Sequence, residues 1–240
     1  MKFWNLIKNE APDEYGSAYA LRLDGPISTE SWWGDEVTPA EFRADLAGVD
    51  GDLTVWINSP GGDVFAASEI YNMLKDFAHN VTVKVDALAA SAASVVAMAG
   101  DTVYISPTGL IMIHNPSTIV MGDKSEMEAA IKVLDEVKES IVNAYMAKTG
   151  LSHAKISRLM DDETWMNANK AVELGFADKV LFQDDEKKTD SIGMSYSRFT
   201  VVNSLEKKFA EQFKPDPDPA DTEKEKIKNE LTADLWKYGV

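Results

Sequence analysis

Between residues 53 and 100 the chain twice runs through the same pattern: a short apolar strand, a break made of small residues, then a stretch with helical spacing. Leu53-Thr54-Val55-Trp56-Ile57-Asn58 reads as a buried strand, Ser59-Pro60-Gly61-Gly62 as the turn that ends it, and Val64 to Phe77 as a helix. Val81 to Leu88 repeats the strand, and an apolar small-residue helix ending at Gly100 follows Ser91. Less regular versions come in Thr102 to Ser106 and Leu110 to His114. Strands alternating with helices in this way predict an α/β fold, with a layered core of crossover units.

The flanking segments fit around that core. Tyr19 to Leu23 reads as a strand by its spacing and Pro39 to Leu46 as a short acidic helix. Asp123 to Lys148 sets Met127, Ile131, Leu134, Val137 or Lys138, Ile141 and Tyr145 on one stripe, stopped by Gly150 at the C-cap, which predicts a long helix that protrudes or pairs with another subunit. Asn167 caps a further helix reaching Glu173, and Lys179-Val180-Leu181-Phe182 reads as the last strand. Beyond it the composition changes. Lys214-Pro215-Asp216-Pro217-Asp218-Pro219 has linker character, and residues 183–240 carry 13 acidic against 10 basic residues. The expected organisation is therefore a folded domain over 1–182 and a charged, flexible C-terminal tail over 183–240.

Charge and composition remove several classes of function. A net charge of −16 and a pI near 4.6 would repel phosphates over most of the surface, so neither nucleic acid nor an anionic membrane is an expected partner. No apolar run approaches the roughly 20 residues that span a bilayer, and Met1-Lys2-Phe3-Trp4-Asn5 lacks a long hydrophobic signal core, which points to a cytoplasmic protein. With no cysteine, thiolate nucleophiles, thiolate metal sites and disulfides are out. Hydroxyl, carboxylate, amine and imidazole chemistry remains, and the pattern asks for no cofactor and no metal.

Within that chemistry one constellation stands out. Ser91 lies where a strand meets a helix, so its hydroxyl can be exposed beside the unpaired N–H groups of the helix start. The chain has three histidines; His79 and His153 sit in polar turn or helix-start sequence, whereas His114 ends the apolar strand Leu110-Ile111-Met112-Ile113. Strand ends of an α/β sheet converge on one crevice, which makes His114 the candidate base. An acid to orient the imidazole is available in Asp161-Asp162-Glu163, and the residues alone do not choose among the three. Gly61-Gly62 offers bare backbone for a developing oxyanion, with the Ala92 N–H as second donor.

Four segments carry a family resemblance: Ile57-Asn58-Ser59-Pro60-Gly61-Gly62, Ala89-Ala90-Ser91, Met112-Ile113-His114-Asn115-Pro116 and Ala171-Val172-Glu173-Leu174-Gly175-Phe176-Ala177-Asp178. In this order, with 30 residues from Gly61 to Ser91 and 23 from Ser91 to His114, they resemble the ClpP (S14-type) serine peptidases over about Leu53 to Phe182. The resemblance implies a ClpP/crotonase-like spiral of β-β-α units with a protruding long helix. It also implies Ser91 as nucleophile, His114 as general base, Gly62 and Ala92 as oxyanion donors, and Glu163 where the family usually has its triad aspartate, with Asp162 as the alternative. Ala92-Ala93 stands where the family commonly has methionine and glycine. The expected activity is a serine endopeptidase, ATP-independent or ATPase-assisted, working through an acyl-enzyme on protein or peptide substrates. The expected assembly is a homo-oligomeric ring, a heptamer or a double ring of them, with the helix near 123–148 interlocking two rings and an extended substrate added as a strand along the segment containing Met121 and Gly122. The opening Lys2-Phe3-Trp4-Asn5 and the tail resemble the phage and prophage head-maturation branch, implying capsid or scaffold proteins as partners and a procapsid as a further location.

Two other classes compete with this reading. Crotonase-type acyl-CoA lyases or isomerases use a similar spiral and a glycine turn, but should rely on acids and need no serine–histidine pair. A non-catalytic assembly protein of the same fold would use its acidic surface and tail to organise partners. Membrane-bound signal-peptide peptidases are related in fold but call for a spanning segment and a lysine beside the serine.

Overall fold

A computed structural model of the chain describes residues 7–8, 17–31 and 36–183. Four parallel strands make the centre: β2 (Tyr19–Asp24), β3 (Leu53–Ser59), β4 (Val81–Ala90) and β5 (Thr102–Ile105). The edges are short. β1 (Ile7–Lys8) pairs antiparallel with β2, and β8 (Lys179–Val180) pairs parallel with β5. One face of these strands is dry: Leu21, Leu23, Val55, Ile57, Val83, Val85, Val103 and Ile105 are all buried. On the other face the register aligns Arg22, Trp56, Lys84 and Tyr104 across the strands. There the Arg22 guanidinium and the Lys84 ammonium lie 5.6 and 5.0 Å from the Trp56 ring centroid, within cation–π range.

Strand β4 is where the architecture turns. Its first half, Thr82–Val85, pairs with β5, while Leu88–Ala90 pairs with β6 (Leu110–Ile113), and the β3–β4 register shifts between Ile57 and Ser59. β6 in turn pairs antiparallel with β7 (Thr164–Asn167). A ten-residue strand thus serves two neighbours in succession, and its end is drawn to the place where β3 and β6 also stop. The mixed α/β architecture with a parallel sheet agrees with the fold expected from the sequence.

The helices form for local reasons that the sequence already displays. α1 (Pro39–Leu46) is capped by the Thr38 hydroxyl with Pro39 in its first turn, and α2 (Val64–Lys75) by the Asp63 carboxylate accepting from the Ala66 N–H at 2.8 Å. α3 (Ala92–Ala97) follows β4 after a single residue. α4 (Lys124–Thr149) opens with a capping box between Asp123 and Glu126 and closes at Gly150, whose φ of 69° is the left-handed C-cap that glycine tolerates. α5 (His153–Asp161) and α6 (Ala168–Glu173) are the last helices among the described residues, with Asn167 capping α6 as expected. Among the described residues no helix is long and apolar enough to cross a membrane.

The departures are local. β4 continues two residues past Leu88, α3 stops at Ala97 short of Gly100, and the last strand shrinks to Lys179–Val180, where its partner β5 ends at Ile105. α5 beyond its first residue and β7 went unread, since nine residues of mixed polarity and a four-residue strand give too short a window for periodicity. Residues 2–5 and the tail beyond residue 183, which carried part of the sequence reading, lie outside the described residues.

Candidate active site

The turn after β3 is built from glycines because nothing else fits. A Cβ on Gly61 would stand 2.6 Å from the Ala90 carbonyl oxygen and 2.8 Å from Ser91 Cβ, and one on Gly62 would stand 2.0 Å from the Ile27 carbonyl oxygen. Their φ values of 95° and 147° add backbone conformations that a side chain disfavours. Bare backbone lets the turn press against the end of β4 on one side and against Ile27 on the other. Ile27 N–H donates to the Gly61 carbonyl at 2.8 Å and Asp63 N–H to the Ile27 carbonyl at 2.9 Å, which pins both flanks of Gly62. That bridge leaves Gly62's own N–H outside it.

Ser91 occupies a strained junction. Its φ of 53° and ψ of −126° lie in a region that a non-glycine residue enters at a cost on the order of 1–3 kcal/mol. Neighbouring contacts hold it there: its N–H donates to the Met112 carbonyl of β6 at 2.9 Å, and its carbonyl accepts from the Ser94 N–H at 2.9 Å. A serine preceding a helix would ordinarily cap it, but Ser91 makes no side-chain cap. Its hydroxyl instead lies 2.7 Å from His114 Nε2. Ala92 is the first residue of α3, where an amide has no partner four residues earlier.

His114 follows the last residue of β6 and is half-buried. Burial holds its pKa below the usual 6.5, and the negative charge of Glu163 works in the opposite direction. The imidazole is consequently neutral near pH 7, with a carboxylate placed to favour the imidazolium once it forms. Of the three acids left open by the sequence, Asp161 accepts from Asn115 Nδ2 at 2.9 Å and from Lys138 Nζ at 2.6 Å, and Asp162 closes α5 at the surface. Glu163 is the acid whose charge reaches His114. It sits between α5 and β7 at φ 46°, and its Oε1 accepts from Trp165 Nε1 at 3.3 Å.

A groove of about 460 Å³ opens beside these residues, lined by Gly62, Ser91, Ala92 and His114 at one side. Val95 of α3 with Val133, Val137 and Ile141 of α4 supply an apolar wall. The stripe on the helix that the sequence predicts to protrude or pair with another subunit therefore also lines a groove, which periodicity could not reveal because an apolar helix face looks the same whether it meets a core, a partner or a groove. The seat that Ile27 provides for Gly62 was also invisible, since a single aliphatic residue in a loop carries no pattern.

A hydroxyl at hydrogen-bond distance from an imidazole, on a strained strand-to-helix junction between a glycine turn and a helix N-terminus, is the arrangement that acyl transfer requires. The family model described as Clp protease matches residues 41–184, which contain all of these groups except Ile27. The chain belongs to the Clp protease family. Among the relatives of this Clp protease-family chain is ATP-dependent Clp protease proteolytic subunit 1 of Chlamydia muridarum, 35% identical over 130 residues, covering 52% of this chain and 68% of the relative. The ATP-dependent Clp protease proteolytic subunit of Bacteroides fragilis is 31% identical over 156 residues, 62% and 75% of the two chains. That of Porphyromonas gingivalis is 30% identical over 154 residues, 61% and 69%. The Clp protease-family chain is a serine-type peptidase.

Proposed function

We propose that this peptidase cleaves peptide bonds within protein substrates through an acyl-enzyme on Ser91, with His114 as general base and acid, Glu163 as the orienting carboxylate, and Gly62 and Ala92 as oxyanion donors. The observation that carries the proposal is the 2.7 Å contact between Ser91 Oγ and His114 Nε2 at the mouth of the groove. In the first step Ser91 Oγ attacks the scissile carbonyl carbon while its proton passes to His114 Nε2. The carbonyl oxygen, now negative, is received by the N–H groups of Gly62 and Ala92, and Glu163 offsets the positive charge on the imidazolium. As the carbon–nitrogen bond breaks, His114 returns the proton to the leaving amine, and Ser91 holds the acyl group as an ester. Water then enters, gives its proton to His114 and attacks the ester, and the reverse proton transfer frees Ser91.

The apolar wall of Val95, Val133, Val137 and Ile141 supports a preference for an apolar side chain next to the cut. Large apolar side chains exposed before and along α4, including Ile119, Met121, Met127 and Ile131, support assembly of several copies, with rings as the expected form. The sequence resemblance of the opening segment and tail supports the finer assignment to phage head maturation, with scaffold or capsid proteins as substrates and operation with or without an ATPase. Against the acyl-CoA lyase reading stands the serine–histidine contact, which enolate chemistry does not use.

A fluorophosphonate probe tests the core of the proposal. Wild-type protein should be labelled once per chain at Ser91, and Ser91→Ala not at all; an unlabelled wild type, or equal labelling of the two, would remove Ser91 from the chemistry.

A further inference from the structure

Two buried hydroxyls beside the site take no part in the steps above. Ser94 in α3 is fully buried and Tyr145 in α4 is 1% exposed. Ser94 Oγ lies 2.6 Å from the Ser91 carbonyl oxygen and 2.8 Å from Tyr145 Oη. A carbonyl only accepts, and a serine hydroxyl has one proton to give, so the direction of the chain is settled: Tyr145 donates to Ser94, and Ser94 donates to Ser91. Burial pushes the Tyr145 hydroxyl well above its usual pKa, which keeps the proton that this direction needs. The Tyr145 ring is itself braced edge-on by Phe176 at 5.5 Å between centroids.

The geometric consequence falls on Ser91. A residue at this position ordinarily turns its hydroxyl onto the N–H two or three residues ahead, and here the third one along is Ser94. Instead the Ser94 N–H and Ser94 Oγ both point to the Ser91 carbonyl, while the Ser91 N–H is held by Met112. Both peptide groups around the positive φ are thereby tied, and the Ser91 side chain is left to face His114. We infer that Ser94 and Tyr145 are positioning residues that clamp the Ser91 carbonyl and so keep the Ser91 hydroxyl aimed at His114 and off the helix start. The inference rests on the reading of Ser91 as nucleophile.

The test uses the full chain and the fluorophosphonate itself, reading the number of sites labelled, the maximal labelling rate kinact and the half-saturating concentration KI. Ser94→Ala should label one site per chain with unchanged KI but with kinact lowered about tenfold, the size of effect that a small misplacement of a reacting atom produces. Tyr145→Phe should lose only about two- to threefold, because Ser94 still donates to Ser91 without it. The double variant should be no slower than Ser94→Ala, since Tyr145 acts only through Ser94. It should also melt higher than Ser94→Ala, because it leaves no buried hydroxyl without a partner. The pH midpoint of labelling should stay in place in all three, as the burial of His114 and the charge of Glu163, which set its pKa, are left as they are. If Ser94→Ala does not fold, the double variant carries the same kinact expectation. A folded, fully titratable variant lacking the Ser94 hydroxyl that labels as fast as wild type would overturn the clamp, as would multiplying losses in the double variant. Labelling of wild type on Ser91 together with that result would sink the clamp alone; a wild type that does not label, or a Ser91→Ala protein that does, would sink the clamp and the proposed nucleophile together.

Discussion

Replacing Gly62 by alanine tests the site where backbone and chemistry are most tightly coupled. The added Cβ would lie 2.0 Å from the Ile27 carbonyl oxygen, whereas ordinary contact begins at 3.4 Å, so the turn and Ile27 must separate by about 1.4 Å. Two hydrogen bonds cross that gap, Ile27 N–H to Gly61 at 2.8 Å and Asp63 N–H to Ile27 at 2.9 Å. Losing them costs roughly 1 kcal/mol each, and an alanine held at φ 147° adds on the order of 1–3 kcal/mol of strain. The sum, about 3–5 kcal/mol, should lower the melting temperature by on the order of 10 °C for a domain of this size. The same displacement carries the Gly62 N–H off the proposed oxyanion position, for which a loss of roughly 100- to 1,000-fold in rate is expected. Fluorophosphonate kinact measured well below both melting points separates the two effects. A Gly62→Ala protein that is folded and reacts within threefold of wild type would refute both the tightness of the Ile27 seat and the role of the Gly62 amide.

Three further outcomes rest on the same geometry. Labelling should lose its rate on the acid side only as pH falls through a His114 pKa held below 6.5 by burial, because the proposed mechanism uses the neutral imidazole as base; a midpoint above 6.5 in a pH–rate profile would contradict the assignment. Glu163→Gln removes the charge that raises the His114 pKa, so the acid limb should move to still lower pH while the maximal rate falls by roughly 100- to 10,000-fold; an unshifted limb would return the orienting role to another acid. Lys148, 11% exposed in its side chain, ties α4 to Asp178 at 2.7 Å and to the carbonyls of Gly100 and Asp101 at 3.3 Å. Lys148→Met should destabilise the domain by about 1–3 kcal/mol in urea titration, with kinact of the folded protein unchanged.

The site concentrates strain in two residues that lack glycine's freedom. Ser91 and Glu163 both hold positive φ, at 53° and 46°, and both act on His114, one through its hydroxyl at 2.7 Å and the other through its charge. Each sits where one element ends and another begins, so the surrounding strands and helices hold the conformation that the residue alone would leave.

Much of this was legible in the residues. Strand and helix periods at 53–77 and 81–97, the cap at Asn167, the C-cap at Gly150 and the glycine turn at 61–62 are local properties, governed by side-chain size, backbone freedom and hydrogen bonding within a few positions. They placed Ser91 and His114 at element ends and implied that the ends converge. What needed the folded chain was every relation between residues far apart in sequence. Three adjacent acids are equivalent on paper, and only packing sends Asp161 to Lys138 and Asn115 while the charge of Glu163 reaches His114. The bend of β4 from β5 to β6, the Ile27 seat under Gly62, the apolar wall lent by α4 and the Tyr145–Ser94–Ser91 relay are likewise tertiary, because each depends on distances that no local period encodes.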